Sequence, residues 1–573
     1  MITNRRFAVT YSLLIALAAL AGDAMTYPEP EQRTSYIVQG VTHAAVADLV
    51  RDHGGDITHE LKVIKAVAAD LTPAQLAAIR NDDAVKRIYG NGSIEVAGKP
   101  DKSGGSNGSG GNYDALDTHF PSLVNADDVH AMGITGDGVG IAVLDTGLWK
   151  HEGIKYDSNG NSRMKALYDA ITDTTGNPLS GSDPAGHGTH VASLAVSSLR
   201  TPNGLYNGIA PDAHLISVRA FDETGQGTYA DVIRAIDWIV SNKAKHKIKV
   251  LNLSFSATPQ SHYWDDPINQ AVMVAWQHEI FVVAAAGNQG PDAMTIGVPG
   301  NVPYVLTVGA MTDNYTPADG SDDVLATFSS AGPTREGFVK PEVIAPGGHM
   351  MGLTPGNSHL ATAYPEFFTA EMYFEMSGTS QATAVVSGIA ALALQAEAWR
   401  SVDELKCKIM SAARPAVTGK GKNLDLVYSV FQQGAGLVDA LAAVTNQTVD
   451  CANNGLHIDN DIDGTQHFGG RANQQADGSY YLMEMNGYLW SDGYVWADGF
   501  LWTDGYLWSD GYLWSDGYLW TDSGVGMNGY LWTDGFLWTD GYLWSDGYLW
   551  SDGYLWSDSL TEMATMSHWV NQE

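Results

Sequence analysis

Cysteine is nearly absent from this chain: its 573 residues hold two, Cys407 and Cys451. That excludes a disulfide-dense scaffold and any cysteine-rich metal cluster. Basic residues are scarce too. Thirty-one Lys and Arg stand against 65 Asp and Glu, a formal net charge of −34. Duplex nucleic acid needs a basic surface to displace its counterions, so no nucleic acid partner is expected. The acidic excess favours solubility and suits saline or cation-rich surroundings. Long apolar runs are also missing. The stretch Leu13–Leu20 is too short to span a bilayer. It follows Arg5 and Arg6 and ends at Ala19-Leu20-Ala21, so residues 1–21 read as a secretory signal peptide and the protein as secreted or extracellular. Export permits a disulfide between the two cysteines, which the sequence leaves open.

What is present divides the chain into blocks. Residues 22–100 carry a small α+β pattern. Ser35-Tyr36-Ile37-Val38 is strand-like, Thr42–Val50 reads as a helix, Val63–Ala69 is β-compatible and Arg87-Ile88-Tyr89 is a last short strand. Thr72-Pro73-Ala74-Gln75 predicts a helix start, with Thr72 as cap, Pro73 in the first turn and Gln75 reaching back. Residues 101–114 are a Gly/Ser-rich linker. The block 115–445 holds the chemistry-bearing motifs. Residues 446–485 read as a polar linker. Within it, His457–Gly464 offers oxygen ligands but lacks the closing glutamate of an EF-hand.

Residues 486–558 repeat a hexapeptide close to Asp-Gly-Tyr-Leu-Trp-Ser, and 559–573 form a tail. Eleven copies carry the Trp, from Trp490 to Trp556, with one break at Ser523–Met527. Six is even, so strand alternation puts Tyr and Trp on one face and Leu and Ser/Thr on the other. Asp-Gly is a favoured turn pair. Two architectures follow: a meander of four-residue strands, or a solenoid with one short strand per repeat. Three roles compete: binding to polysaccharide or a cell surface, a calcium-stiffened stalk, and a low-complexity tail used in secretion or assembly.

Four stretches of the central block carry chemistry. Ile141–Gly147 reads as a buried strand ending in the carboxylate of Asp145. Gly186–Ala192 puts His187 in a Gly-lined turn that opens a helix. Val282–Asn288 is a second apolar strand ending in an amide, Asn288. Met376–Ala384 sets Ser380 at the start of a helix of small residues, where backbone N–H groups stabilise negative charge. A serine hydroxyl becomes a nucleophile when a histidine takes its proton and a carboxylate orients that histidine. Each stretch alone has a bland reading, Ser380 as a helix cap above all. Four in the order Asp, His, Asn, Ser do not.

On these motifs the chain resembles the subtilisin-like (subtilase) serine peptidases. Gly208-Ile209-Ala210-Pro211, Leu251-Asn252-Leu253-Ser254 and Phe328–Pro333 match as well, and the resemblance covers roughly residues 115–445. It implies an α/β fold of three layers around a mainly parallel sheet, preceded by a small α+β propeptide and followed by a β-rich or disordered repeat tail. It implies Ser380 as nucleophile, His187 as base and then acid, Asp145 as its orienting carboxylate and Asn288 as oxyanion donor. His190 reads as a core histidine. Segments around Gly225 and Gly227 and at Ser254, Phe255 and Ser256 would flank an extended polypeptide substrate. Gly297 matches the floor of the pocket for the residue before the cut, which glycine would leave open to large apolar side chains. Ser256 departs from the usual glycine on the pocket wall, and Gln381 from the common methionine. The resemblance makes 22–100 an inhibitory propeptide, removed by self-cleavage near the linker. No cofactor is required for the chemistry. Structural calcium is left open, with Arg200–Asn207 at the position of a family calcium loop and Glu152 beside it. The competing class is a surface-binding repeat protein whose peptidase domain is inactive.

Overall fold

The computed structural model describes residues 32–96 and 119–482, with short breaks at 315, 317–319, 321, 370–371, 398–400, 421–422, 449–450 and 475–477. It also describes the backbone of the repeat strands between Leu489 and Glu562. The signal peptide, the Gly/Ser linker and nearly all of the tail lie outside the described residues. Among the described residues, no helix is long and apolar enough to cross a membrane.

The centre is a mainly parallel sheet. Its strands run in the spatial order Val324–Leu325, Leu306–Thr312, Phe281–Ala285, Ile248–Leu253, Gly140–Asp145, His214–Arg219, Met164–Asp169, Thr174–Gly176, with Val343–Pro346 also paired to Leu306–Thr312. Only the outermost strands, Val324–Leu325 and Thr174–Gly176, pair antiparallel. Every residue of Gly140–Asp145 and of Phe281–Ala285 is buried. Continuous apolar runs of this kind suit a sheet covered on both faces. His187–Val196 packs with Thr379–Ala396, and Tyr229–His246 packs with Pro267–Gln277. These helices supply the outer layers. The α/β class and three-layer arrangement implied by the motifs are therefore present.

Residues 34–96 form a separate small unit. Its antiparallel sheet has the order Asp56–Leu61, Ala66–Leu71, Thr34–Gly40, Val85–Gly90, with helices His43–Asp52 and Pro73–Ile79. Thr72 and Gln75 make the reciprocal capping box expected of that stretch. Two features were not legible. Asp56–Leu61 is a strand, although its sequence is largely polar. Val63 and Ile64 lie in a 3-10 turn closed by Lys65 at φ 56°, so the following strand starts later than the β-compatible run. Alternation along the sheet creates two apolar faces. Val38, Val67, Ala69 and Leu71 pack with Val46, Val50 and Ile79 in the unit's own core. Ile37, Leu61, Ala66 and Ala68 belong instead to the core of the large domain.

The block 446–485 is not the polar linker its composition implies. Cys451 is joined to Cys407, which ties its start to the helix Val402–Ala412. The short helix Ile458–Asp463 follows, and Phe468 is buried. Gly470 and Ala472 donate backbone hydrogen bonds to Glu336 O and Gly337 O. The segment is fastened by polar and aromatic groups, which hydropathy does not flag. Asp461 accepts from Tyr263 Oη at 2.6 Å, Tyr304 Oη at 2.9 Å and His467 Nδ1 at 2.8 Å. Trp264 is sandwiched between the rings of His262 and His467, at centroid distances of 4.3 and 4.5 Å.

The repeats adopt the solenoid and not the meander. Each strand pairs in parallel with the one eighteen positions on, Tyr494 with Tyr512, Tyr512 with Tyr530 and Tyr530 with Tyr548. Three hexapeptides thus make one coil, and three parallel sheets run along it. The register stacks like on like: Trp496 on Trp514, Trp514 on Trp532. The Asp-Gly steps lie outside the described residues.

Candidate active site

Asp145 ends the central strand Gly140–Asp145, so its carboxylate emerges at the carboxyl edge of the sheet. Thr146 N donates to its Oδ1 at 2.7 Å. His187 stands at the first position of the helix His187–Val196, after Gly186 at φ 99°. A Cβ on Gly186 would lie within 3.0 Å of Ser358 and Thr354 side chains, so both space and backbone demand glycine there. His187 Nδ1 lies 2.7 and 2.9 Å from the two Asp145 oxygens, and both side chains are almost completely buried. That contact places the proton on Nδ1 and turns Nε2 into the basic nitrogen.

Sequence reasoning missed the residue that fixes this turn. Asp183 is buried and accepts from Thr146 Oγ1 at 2.8 Å, Gly186 N at 2.9 Å, and Thr189 N and Oγ1 at 2.7 Å each. One carboxylate therefore links the strand that bears Asp145 to the helix that bears His187. An aspartate four residues before a helix-opening histidine was the signal available.

Ser380 is the second residue of the helix Thr379–Ala396 and is fully buried. Its Oγ donates to Ser254 O at 2.9 Å, and Ser254 Oγ donates to Ser380 O at 2.9 Å. Asn252 Nδ2 donates to Ser254 Oγ at 2.8 Å and Ser387 Oγ to Asn252 Oδ1 at 2.9 Å. The nucleophile's helix is thereby fastened to the strand Ile248–Leu253. Thr379 N and Oγ1 both donate to Asn288 Oδ1, at 3.0 and 2.9 Å. That leaves the Nδ2 end of Asn288 to donate beside the helix N-terminus. The two helices meet where Gln381 Nε2 approaches His190 Nδ1 at 3.4 Å. His190 Nε2 faces Phe374 O at 2.9 Å and Met350 O at 3.1 Å. Burial, with help from the neighbouring His187, pushes its pKa down to about 4, so it stays neutral. It is held in the core.

The strand Ser93–Val96 lies between two strands of the large domain, Gln226–Thr228 and Phe255–Ser256. Both pairings are antiparallel: Glu95 opposes Gln226 and Ser256, Ile94 opposes Gly227, and Val96 opposes Phe255. Val96 N donates to Gly225 O at 3.1 Å. The expected substrate-flanking residues Gly225, Gly227, Phe255 and Ser256 thus line a cleft that holds a segment of the chain itself. Salt bridges brace the same contact, Arg87 with Asp265 and His59 with Asp231.

Two expectations are corrected. The loop Arg200–Asn207 does not fit a calcium ion. Arg200 donates to Gly204 O at 2.6 Å and lies over the Tyr206 ring, 3.8 Å from its centroid. A guanidinium already supplies the positive charge there and takes the carbonyl a metal would need. The exposed Glu152 is not required to complete it. The space above Gly297 is not open either: a Cβ built on Gly297 would meet Ser256 Oγ at 1.9 Å.

Comparison with known proteins agrees with this architecture. Residues 136–436 match the subtilase family model. The chain is similar to Serine protease AprX of Bacillus subtilis, 37% identical over 392 residues, 67% of this chain and 80% of that protein. It is similar to Subtilisin E of Bacillus subtilis, 26% identical over 445 residues, 76% of this chain and 97% of that protein. Among solved structures, fervidolysin from Fervidobacterium pennivorans shares the fold, with a TM-score of 0.53 at 21% identity over 73% of this chain and 62% of that one. The chain belongs to the subtilase family of serine peptidases.

Proposed function

We propose that the protein is a secreted, self-processing serine endopeptidase that cuts polypeptides through an acyl-enzyme. His187 Nε2 takes the proton of Ser380 Oγ as that oxygen bonds to the substrate carbonyl carbon. Asn288 Nδ2 and the backbone N–H of Ser380 hold the resulting oxyanion. Asp145 stabilises the imidazolium. His187 then gives the proton to the departing amine as the C–N bond breaks, and water repeats the sequence to free Ser380. The observation that carries this reading is the buried His187–Asp145 contact, with His187 on a helix that packs against the helix whose N-terminus bears Ser380.

Residues 22–100 act in this proposal as the inhibitory propeptide. The seating of Ser93–Val96 as a middle strand supports it, because an extended substrate would take the same backbone partners. For the repeats we propose attachment to polysaccharide. The backbone register, which pairs Trp with Trp and Tyr with Tyr from coil to coil, supports this by repeating aromatic residues at one spacing. Ser380→Ala should abolish peptide hydrolysis, labelling by a serine-directed organophosphate and conversion of the precursor in a host lacking other peptidases. Hydrolysis or normal processing by that variant would refute the assignment, and failure of the intact protein to be labelled would favour the inactive-domain alternative.

A further inference from the structure

The register of Ser93–Val96 identifies which residue of a bound chain faces the nucleophile. Pairing is antiparallel, so each step forward from Glu95 opposite Ser256 to Val96 opposite Phe255 is a step back along the other strand. The next residue of that strand is Ser254, whose carbonyl accepts the Ser380 hydroxyl at 2.9 Å. A bound chain therefore presents to Ser380 the carbonyl of the residue that follows the Val96 position. In this sequence that residue is Ala97, followed by Gly98.

Gly287, Gly297 and Ser256 converge next to the nucleophile's helix, on the strand edge that this residue faces. Gly287 precedes Asn288 and donates its N–H to Thr379 Oγ1 at 3.2 Å, so it adjoins the nucleophile's helix. A Cβ on Gly287 would lie 2.9 Å from Ser256 Oγ, and one on Gly297 only 1.9 Å from it. The Ser256 hydroxyl therefore projects into the gap between two glycine backbones and occupies volume that both leave free. Gly297 cannot recede, since its N–H is tied to Ala286 O at 3.0 Å. A long apolar side chain entering here would meet the hydroxyl and strip it of water without offering a partner. An alanine-sized side chain would not reach it.

We infer that Ser256 sets the size of the residue accepted immediately before the cut and restricts it to small side chains, alanine above all. The inference rests on the catalytic role proposed for Ser380.

Cut sites of the active protein on a denatured proteome test this, alongside Ser256→Gly and Ser256→Val. The natural protein should cut mainly after Ala, Gly and Ser. Ser256→Gly should add Leu, Met and Phe, with kcat/KM on a Phe peptide relative to its Ala counterpart rising about tenfold or more. Ser256→Val should fall on the Ala peptide and keep the Gly peptide best. Cutting after Phe or Leu as readily as Ala by the natural protein, or an unchanged profile in Ser256→Gly, would overturn the inference. Organophosphate labelling of the same preparations separates the two claims. A protein labelled at Ser380 with the wrong profile refutes the role of Ser256 alone, and one folded but unlabelled refutes the catalytic reading.

Discussion

Asp461→Ala should loosen the segment beyond the disulfide and lower the stability of the whole domain. Asp461 is buried and accepts three hydrogen bonds, from Tyr263, Tyr304 and His467. His467 is partly exposed and can turn to water. The two tyrosine hydroxyls cannot, since Tyr263 is 0% and Tyr304 2% exposed. Tyr263 Oη keeps a second acceptor in Phe468 O at 3.3 Å, so the donor that loses its acceptor is Tyr304 Oη. Leaving that buried donor without its acceptor costs about 2 kcal/mol. With an unfolding entropy of about 2.1 cal/mol/K per residue over roughly three hundred residues, that corresponds to a fall in Tm of about 3 °C. The measurement is scanning calorimetry in the Ser380→Ala background, where autolysis cannot intrude. Limited trypsin digestion should then cut within 446–485 at a rate the parent does not show. A drop of less than about 1 °C with unchanged digestion would refute the reasoning, because the segment would then be held by something other than this carboxylate.

Asp266 gives a pH signature. It caps Pro267–Gln277 through Ile268 N and Asn269 N, and burial pushes its pKa up to about 6 in spite of those bonds. The native state therefore holds a proton there that the unfolded chain releases near pH 4. Its contribution to stability is complete below pH 4 and is lost as pH rises through 6, about 3 kcal/mol in all. Asp266→Asn keeps a good cap and removes the titration. Urea unfolding of both proteins should show the variant gaining on its parent by about that amount between pH 4 and pH 7, and a gap independent of pH would contradict the assignment. The Cys407–Cys451 bridge closes a loop with a sequence separation of 44, for which loop entropy gives about 4 kcal/mol. Cys407→Ser should reproduce the Tm of the reduced parent. A variant that melts with the oxidised protein would show that the bridge contributes nothing.

How legible the protein was depended on what kind of group did the holding. Ile141–Leu144 and Val282–Ala285 are continuous apolar runs, and a strand buried on both faces has to read that way. The Thr72 capping box was legible because both partners lie within one turn. The hexapeptide fixed a short strand per repeat, but the choice of solenoid rests on pairing eighteen residues apart, which local pattern does not encode. The segment around Asp461 was illegible because its contacts are a carboxylate, two phenols and a stack of rings, arranged by partners nearly two hundred positions away. At the site, chain order grouped the four motif residues. What the order could not give was Asp183 as the clasp beneath His187, Arg200 in place of a metal, or the direction of the Ser256 hydroxyl.

On the proposal that residues 22–100 are an inhibitory propeptide, the two-faced sheet of the N-terminal unit bears on how inhibition would end. Its inner core is its own, but Ile37, Leu61, Ala66 and Ala68 are buried only against the large domain. Separation would expose that face, together with Asp231 and Asp265 stripped of His59 and Arg87. While the chain is continuous, the unit is held at high local concentration and rebinds whenever it leaves. Once a cut severs it, that advantage vanishes, and a small unit with one apolar sheet face exposed has little stability of its own. The same sheet face that makes it a firm plug while attached makes it a poor folded protein when free. On that proposal, a single cleavage beside Ser380 would suffice to make activation one-way.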